Sequence, residues 1–255
     1  MSDLLASRFP RLRPLGDSAW TVEFGNAIAP EIQARVLGFC RQLADLVDAG
    51  GLPGVYEWVP AFCSATVHFD AESVDALALQ ARLAELASMT DSHQASGVTW
   101  QIPVCFDTEC APDLAEVAAA KGLPVEKVVA LLTESVFPVY MLGFLPGFPY
   151  LGGVPAELEM PRLAVPRKVV PPRSIAIAGR MCAAYPWESP GGWRLVGRTP
   201  IRLFDVTNEH RPALLAPGDK VLWQAVDRST FETIDAACAA GNFDIDSLRR
   251  KEITR

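Results

Sequence analysis

Five arginines stand in or beside proline- and glycine-rich turns in the middle of this 255-residue chain: Arg162 and Arg167, each directly after a proline, then Arg173, Arg194 and Arg198. A guanidinium donates two parallel hydrogen bonds to one carboxylate or phosphate, so arginines clustered in an apolar neighbourhood suit an anionic substrate. For any single arginine the alternative is surface pairing with the 30 acidic residues. Ser189-Pro190-Gly191-Gly192-Trp193 offers backbone N–H groups and a hydroxyl to an anion, or else closes a tight hairpin. The segment Gly143-Phe144-Leu145-Pro146-Gly147-Phe148-Pro149-Tyr150-Leu151-Gly152-Gly153 combines permissive glycines, φ-locking prolines and aromatic rings. Such a loop shapes a pocket or partner surface, or stiffens a connection that plugs a barrel.

Several chemistries lack their signatures. There is no GxxxxGK[ST] phosphate loop and no GxSxG nucleophile elbow. The histidines are His68, His93 and His210, without HExxH spacing and with none between Gly143 and Thr199, so a serine triad there would need His68 or His210 brought in by folding. Cys40, Cys63, Cys105, Cys110, Cys182 and Cys238 show no CxxC spacing and read as reduced core or surface thiols. A net charge of −7 argues against a nucleic-acid partner, which would need a basic stripe. No apolar run approaches the roughly 20 residues of a membrane span, and the first residues lack the apolar centre of a secretory signal, so the expected location is the cytoplasm, away from membranes.

The elements that must position these residues follow from periodicity. Trp20, Val22 and Phe24 alternate as in a half-buried strand. Pro30 opens a helix carrying Ile32, Val36, Phe39, Leu43 and Leu46 until Gly50-Gly51 stops it. Tyr56–Val59 and Ser64–Phe69 read as strands, and Glu72–Met89 as a second helix with Val74, Leu77, Leu83 and Leu86 inward. This order gives a small α/β sandwich over residues 1–95. After the polar stretch from Thr90 to Gly97, alternation resumes at Val98, Trp100, Ile102 and Val104. Two short helices follow, Asp113–Lys121 and Pro124–Glu134, with Gly122 between them. From Pro138 to about Trp223 come short apolar runs between turn residues, such as Ser174–Ala178 and Ile201–Asp205, as in a closed or nearly closed β structure. Helical spacing returns over Asp227–Leu248 through Phe231, Ile234 and Cys238.

Taken in order, GFLPGFPYLGG, the Pro161-Arg162 and Pro166-Arg167 pairs, SIAIAG at Ser174–Gly179, Tyr185-Pro186, SPGGW at Ser189–Trp193 and VGRTP at Val196–Pro200 resemble the family of allophanate hydrolase subunit 1 and the 5-oxoprolinase B subunit. The likeness is strong from about Val98 to Val221 and weaker before it. It implies an α+β fold: an N-terminal α/β domain (1–95) and a C-terminal cyclophilin-like β-barrel (96–255). It also implies ATP-dependent opening of 5-oxoproline to glutamate. The ATP is used by a complex with a C-like partner, similar to allophanate hydrolase subunit 2, and an A-like partner. On this reading Arg162, Arg167 and Arg198 hold substrate or phosphoryl oxygens. Ser174, Tyr185, Ser189 and Thr199 form a polar lining, and Phe148, Tyr150 and Trp193 the walls. The carboxyltransferase domain of urea carboxylase and an inhibitor of a sporulation histidine kinase resemble the same family, so an amide-processing or a regulatory role shares the fold. Four positions depart from the family's usual residues: Thr133 for a histidine, Arg173 for the glycine of VPxGS, and Met181 and Ala183 for the glutamine and glycine of GxQxGxYP. These changes point to a divergent member.

Overall fold

The computed structural model describes residues 9–90 and 97–250; the expected domain boundary and His93 lie at or within residues 91–96, outside the described residues. The chain divides into two compact units, residues 1–96 and 97–255.

In the first unit the strands β1 (Arg11–Pro14), β2 (Ala19–Glu23), β3 (Val55–Pro60) and β4 (Ser64–Phe69) form an antiparallel sheet of order β1-β2-β4-β3. Helices α1 (Pro30–Asp48) and α2 (Ala76–Met89) accompany it. Pro30 sits in the first turn of α1, where its missing N–H costs nothing. Val36, Phe39 and Leu43 of α1 are fully buried against Val22, Phe24 and Val67 of the sheet, so period-2 and period-3.6 faces meet in one core. Helix α2 begins later than the sequence suggests, because the Asp75 carboxylate caps it by accepting from Leu77 N and Ala78 N. The buried face is then Leu79, Leu83 and Ala87, spaced by four. Leu77 lies off that face and is 72% exposed, contrary to its expected inward position.

The second unit is built on a closed seven-stranded barrel of order β10-β7-β6-β13-β5-β12-β9. Its strands are β5 (Thr99–Cys105), β6 (Phe137–Leu142), β7 (Pro149–Leu151), β9 (Ser174–Ala178), β10 (Met181–Ala184), β12 (Arg194–Arg198) and β13 (Lys220–Val226). β13 runs parallel to β5, and the other pairings are antiparallel. A separate ribbon pairs β8 (Arg167–Val170) with β11 (Ser189–Gly191). Helices α3 (Leu114–Lys121), α4 (Val125–Glu134) and α5 (Arg228–Ala239) pack on β12, β13 and β5, respectively. Gly122 closes α3 in the left-handed conformation, at φ 63°.

Ile201–Asp205 is not a strand. Pro200 has no N–H, and Thr199 Oγ1 accepts from Ile201 N at 3.1 Å, so the segment turns locally and keeps one bridge, Phe204 to Ala213. The helix expected over Asp227–Leu248 ends at Ala239; Gly241 follows at φ 70°, and Ile245–Leu248 is a separate 3₁₀ turn.

Candidate functional site: an aromatic pocket beside Arg162

β9, β10 and β12 are buried on both faces, and their alternation builds the site. On β9, Ile175 and Ile177 enter the main core while Ala176 and Ala178 enter a second apolar cluster. On β10, Cys182 and Ala184 go one way, Ala183 and the following Tyr185 the other. On β12, Val196 joins the core, while Leu195 and the preceding Trp193 join the second cluster. Phe148, Tyr185 and Trp193 of that second cluster, with Tyr150 packed against it, line a pocket of about 320 Å³.

The walls are rings set edge to face. Phe148 meets Tyr185 at 5.0 Å between centroids and 89° between planes, and meets Tyr150 at 5.1 Å. Tyr150 in turn meets Trp193 at 6.1 Å, and Phe144 meets Phe148 at 5.4 Å. The loop from Gly143 to Phe148 is pinned at both ends, since Gly143 N donates to Phe148 O and Phe148 N to Leu145 O. Gly147 adopts φ 73° with its backbone pressed against Phe204, which leaves no room for a side chain. Leu163 N donates to Gly192 O at 2.7 Å, and Trp187 Nε1 to Pro146 O at 3.2 Å, so the neighbouring loops are tied to one another. Gly191 lets the Tyr185 ring approach; a Cβ there would overlap the phenol.

Two polar groups face this apolar room with bonding capacity unused. The Arg162 guanidinium lies 5.8 Å over the Trp193 ring, and among the described residues it makes no hydrogen bond or ion pair. The Tyr185 hydroxyl has no hydrogen-bond partner among them either. Burial, aided by neighbouring Tyr150, raises the Tyr185 pKa above 10, against the opposing pull of Arg162 and Arg167. The phenol is therefore a proton-bearing donor at neutral pH.

Of the ten expected site residues, the pocket lining gathers five: Phe148, Tyr150, Arg162, Tyr185 and Trp193. Arg167 stands behind them. Its Nη2 is 2.5 Å from Asp113 Oδ1 and its Nη1 3.4 Å from Trp193 O, so its fork holds the scaffold. Arg198 gives its Nε to Pro172 O, and burial together with Arg173 lowers its pKa. Ser174 Oγ donates to Pro171 O at 2.8 Å, and the fully buried Thr199 caps its own turn. Arg198, Ser174 and Thr199 are not among the lining residues; backbone acceptors and donors engage them first. Ser189 is buried, with its Oγ unpaired among the described residues, next to the lining residue Pro190. Sequence reasoning sees Asp113 only as a helix start. It is 4% exposed, and its second oxygen accepts from Leu195 N at 2.6 Å, a fold-level closure that local spacing does not announce.

The four departures have physical readings. Ala183 belongs to the apolar cluster that carries Phe148, Tyr185 and Trp193, and Met181 packs against it; neither is among the residues that line the pocket. Thr133 Oγ1 donates within its own helix, to Val129 O at 2.9 Å. Arg173 keeps a left-handed backbone, φ 68°, at the site where glycine is usual, and its guanidinium reaches Pro200 O at 2.8 Å and the Asp235 carboxylate.

Residues 10–215 match the carboxyltransferase domain, subdomain C and D. The chain is 36% identical over 236 residues to the 5-oxoprolinase B subunit of Bacillus subtilis (strain 168), covering 87% of this chain and 95% of that protein. The chain belongs to the 5-oxoprolinase B-subunit family. Within solved structures, the crystal structure of TTHA0988 superposes with a TM-score of 0.71 at 33% identity, over 85% of this chain and 40% of that one, so the unit recurs inside a longer chain. The Kluyveromyces lactis urea amidolyase matches with a TM-score of 0.73 over 91% of this chain and 16% of its own, at 23% identity, a likeness of fold. Family membership and barrel thus agree with the ordered motifs from Gly143 to Pro200.

Proposed function

We propose that this chain is the B-type member of a complex that opens 5-oxoproline to glutamate with conversion of ATP and water to ADP and phosphate, and that it works in the cytoplasm. The observation that carries the reading is the pairing, in a B-subunit relative, of an aromatic pocket with one unengaged guanidinium and one protonated phenol. The Arg162 guanidinium would take the substrate carboxylate with a charge-assisted hydrogen bond. The Phe148, Tyr150 and Trp193 rings would cover the faces of the small lactam and exclude water, and the Tyr185 hydroxyl would donate to the lactam oxygen. An amide carbonyl is a poor electrophile; ATP supplies a phosphoryl group that makes its oxygen a leaving group. The donor set of this pocket fits a carboxylate and a ring, and one free guanidinium is too little for a triphosphate. The phosphoryl chemistry is therefore assigned to A-like and C-like partners, and the chain alone is expected to be inactive.

Coexpression with A-like and C-like partners, followed by measurement of glutamate and ADP from 5-oxoproline, tests the proposal. Turnover that falls in Arg162→Ala supports it, and an assembled complex without turnover sinks it. The matched carboxyltransferase description favours one second reading, an amide-processing protein that accepts a carboxyl group. Copurification with a biotin carrier in place of an A-like partner would select it.

A further inference from the structure

A second cleft, of about 340 Å³, opens in the barrel unit away from the residues of the aromatic pocket. Four segments converge on it: the turn after β12, the loop through Asn208 and Arg211, the end of α5 at Cys238 and Gly241, and the 3₁₀ turn reaching Arg249. Its apolar wall includes Leu214, Phe243 and Ile245, and its charged wall Arg202, Arg211 and Arg249 together with Asp205 and Asp246.

The arginines are the informative part. Two of them are held in place. Arg211 lies 4.7 Å over the Trp100 ring and donates to Leu214 O at 2.6 Å; Arg249 lies 5.3 Å over the same ring and gives its Nε to Asp246 Oδ1 at 2.9 Å. Packing on a buried indole fixes both guanidinium planes while leaving further N–H groups of each unspent. The third, Arg202, makes no hydrogen bond or ion pair among the described residues. Three carboxylates stand near: Asp205 and Asp246 line the cleft, Asp246 pairs with Arg249, Asp205 interacts with Arg202 through charge alone while it accepts from Thr207 N and Oγ1, and Asp219, bonded to Val98 N, Trp100 Nε1 and Ala216 N, lies 3.9 Å from Arg211. Three guanidiniums and two carboxylates thus line one concavity beside a hydrophobic wall, and the N–H groups left over on Arg202, Arg211 and Arg249 are donors that a bound anion would take. The volume falls in the range of small-molecule sites, about 300–1,000 Å³.

We infer that this cleft binds a small organic anion, a carboxylate or phosphate carried on an apolar body, with Arg202, Arg211 and Arg249 on the charge and Phe243 and Ile245 on the body. The site is separate from the proposed lactam pocket and stands whether or not that assignment holds.

The Trp100 indole N–H, bonded to Asp219 at 2.9 Å and stacked under both arginines, is a local reporter. Its resonance in the full chain is followed by two-dimensional NMR while benzoate, phenyl phosphate or inorganic phosphate is added. Benzoate and phenyl phosphate share a ring and differ in head group, so the tighter of the two names the charge the site prefers. The expected result is a saturable shift with at least one of them, with inorganic phosphate at least tenfold weaker and Arg202→Ala weakening the organic anion at least tenfold. Arg202 is exposed and unpaired, so that variant keeps the fold. No saturable shift with any probe, a shift unchanged in Arg202→Ala, or inorganic phosphate binding as well as the ring compounds would each overturn the inference. Aromatic probes entering the other pocket leave this resonance in place.

Discussion

Arg167 and Asp113 form a 2.5 Å ion pair beneath the aromatic pocket, between a carboxylate whose side chain is 6% exposed and a guanidinium 28% exposed. The pair joins the β8 ribbon to the start of α3, and the Asp113 contact to Leu195 N extends the tie to β12. Removing one partner leaves the other charge buried with its desolvation uncompensated. Asp113→Ala is expected to lower stability by about 3 kcal/mol, the low end of the range for a broken buried pair because Arg167 keeps some water. Urea unfolding of the variant measures it.

Arg173 separates backbone strain from side-chain pairing. An L-residue in the left-handed region costs about 1 kcal/mol, and glycine there costs little. Arg173→Ala loses the Asp235 and Pro200 contacts and keeps the strain, whereas Arg173→Gly loses the same contacts and relieves it. Arg173→Gly should therefore be more stable than Arg173→Ala by about 1 kcal/mol in thermal or urea unfolding.

Gly191→Ala introduces a methyl where the Tyr185 phenol now sits. Overpacking of this kind costs about 1–3 kcal/mol. The pocket loses its shape as the ring is pushed aside, so the loss of melting temperature should be accompanied by weaker 5-oxoproline binding by the assembled complex.

Tyr185 links the pocket to pH. Its pKa in the fold is raised above the ordinary 10 by burial, so the neutral phenol is favoured by folding. The corresponding stability is present below pH 10 and is lost as pH rises through the raised value. Substrate binding should stay flat to pH 10 and weaken above it, and Tyr185→Phe should remove that limb while raising KM about tenfold, the effect of one lost hydrogen bond of about 1.4 kcal/mol.

The first unit should show an acid-side counterpart. Burial acts to raise the Glu23 pKa, but the hydrogen bonds and charges of Arg11 and Arg13 outweigh it, and the net shift is below 4.5. The stabilisation is present above 4.5 and disappears as pH falls through the lowered value. In Glu23→Gln the stability of this unit should respond less to pH below 4.5, as followed by urea midpoints.

How legible each element is in the chain depends on how local its cause is. β2 and α1 can be read directly because alternation or helical spacing encodes which face is buried, and β9 because a short apolar run between turn residues marks a strand buried on both faces. β1 cannot: four residues with two arginines and a terminal proline carry no periodic signal, and the strand exists because β2 offers it a partner and Glu23 takes Arg11 and Arg13. Five of the expected site residues meet in one pocket because the glycine, proline and aromatic framework sets their geometry. Ser174 and Thr199 look equally suitable as bare residue types, yet carbonyls and N–H groups within three residues engage them. Nothing near Asp113 in sequence foretells Arg167 or Leu195, since that tie exists only after the barrel has closed.

The parallel seam between β5 and β13, from Thr99 opposite Lys220 to Cys105 opposite Val226, sets an order of events at the ribosome. It joins the first barrel strand in the sequence to the final one, so the closing strand is synthesised after all the others. Until it emerges, β5 and β6 expose the edges that β13 will cover, and the nascent barrel stands open to chaperones and to unwanted strand pairing. The pairing of largest sequence separation in the barrel is thus left to the end, the kind of contact whose closure slows folding.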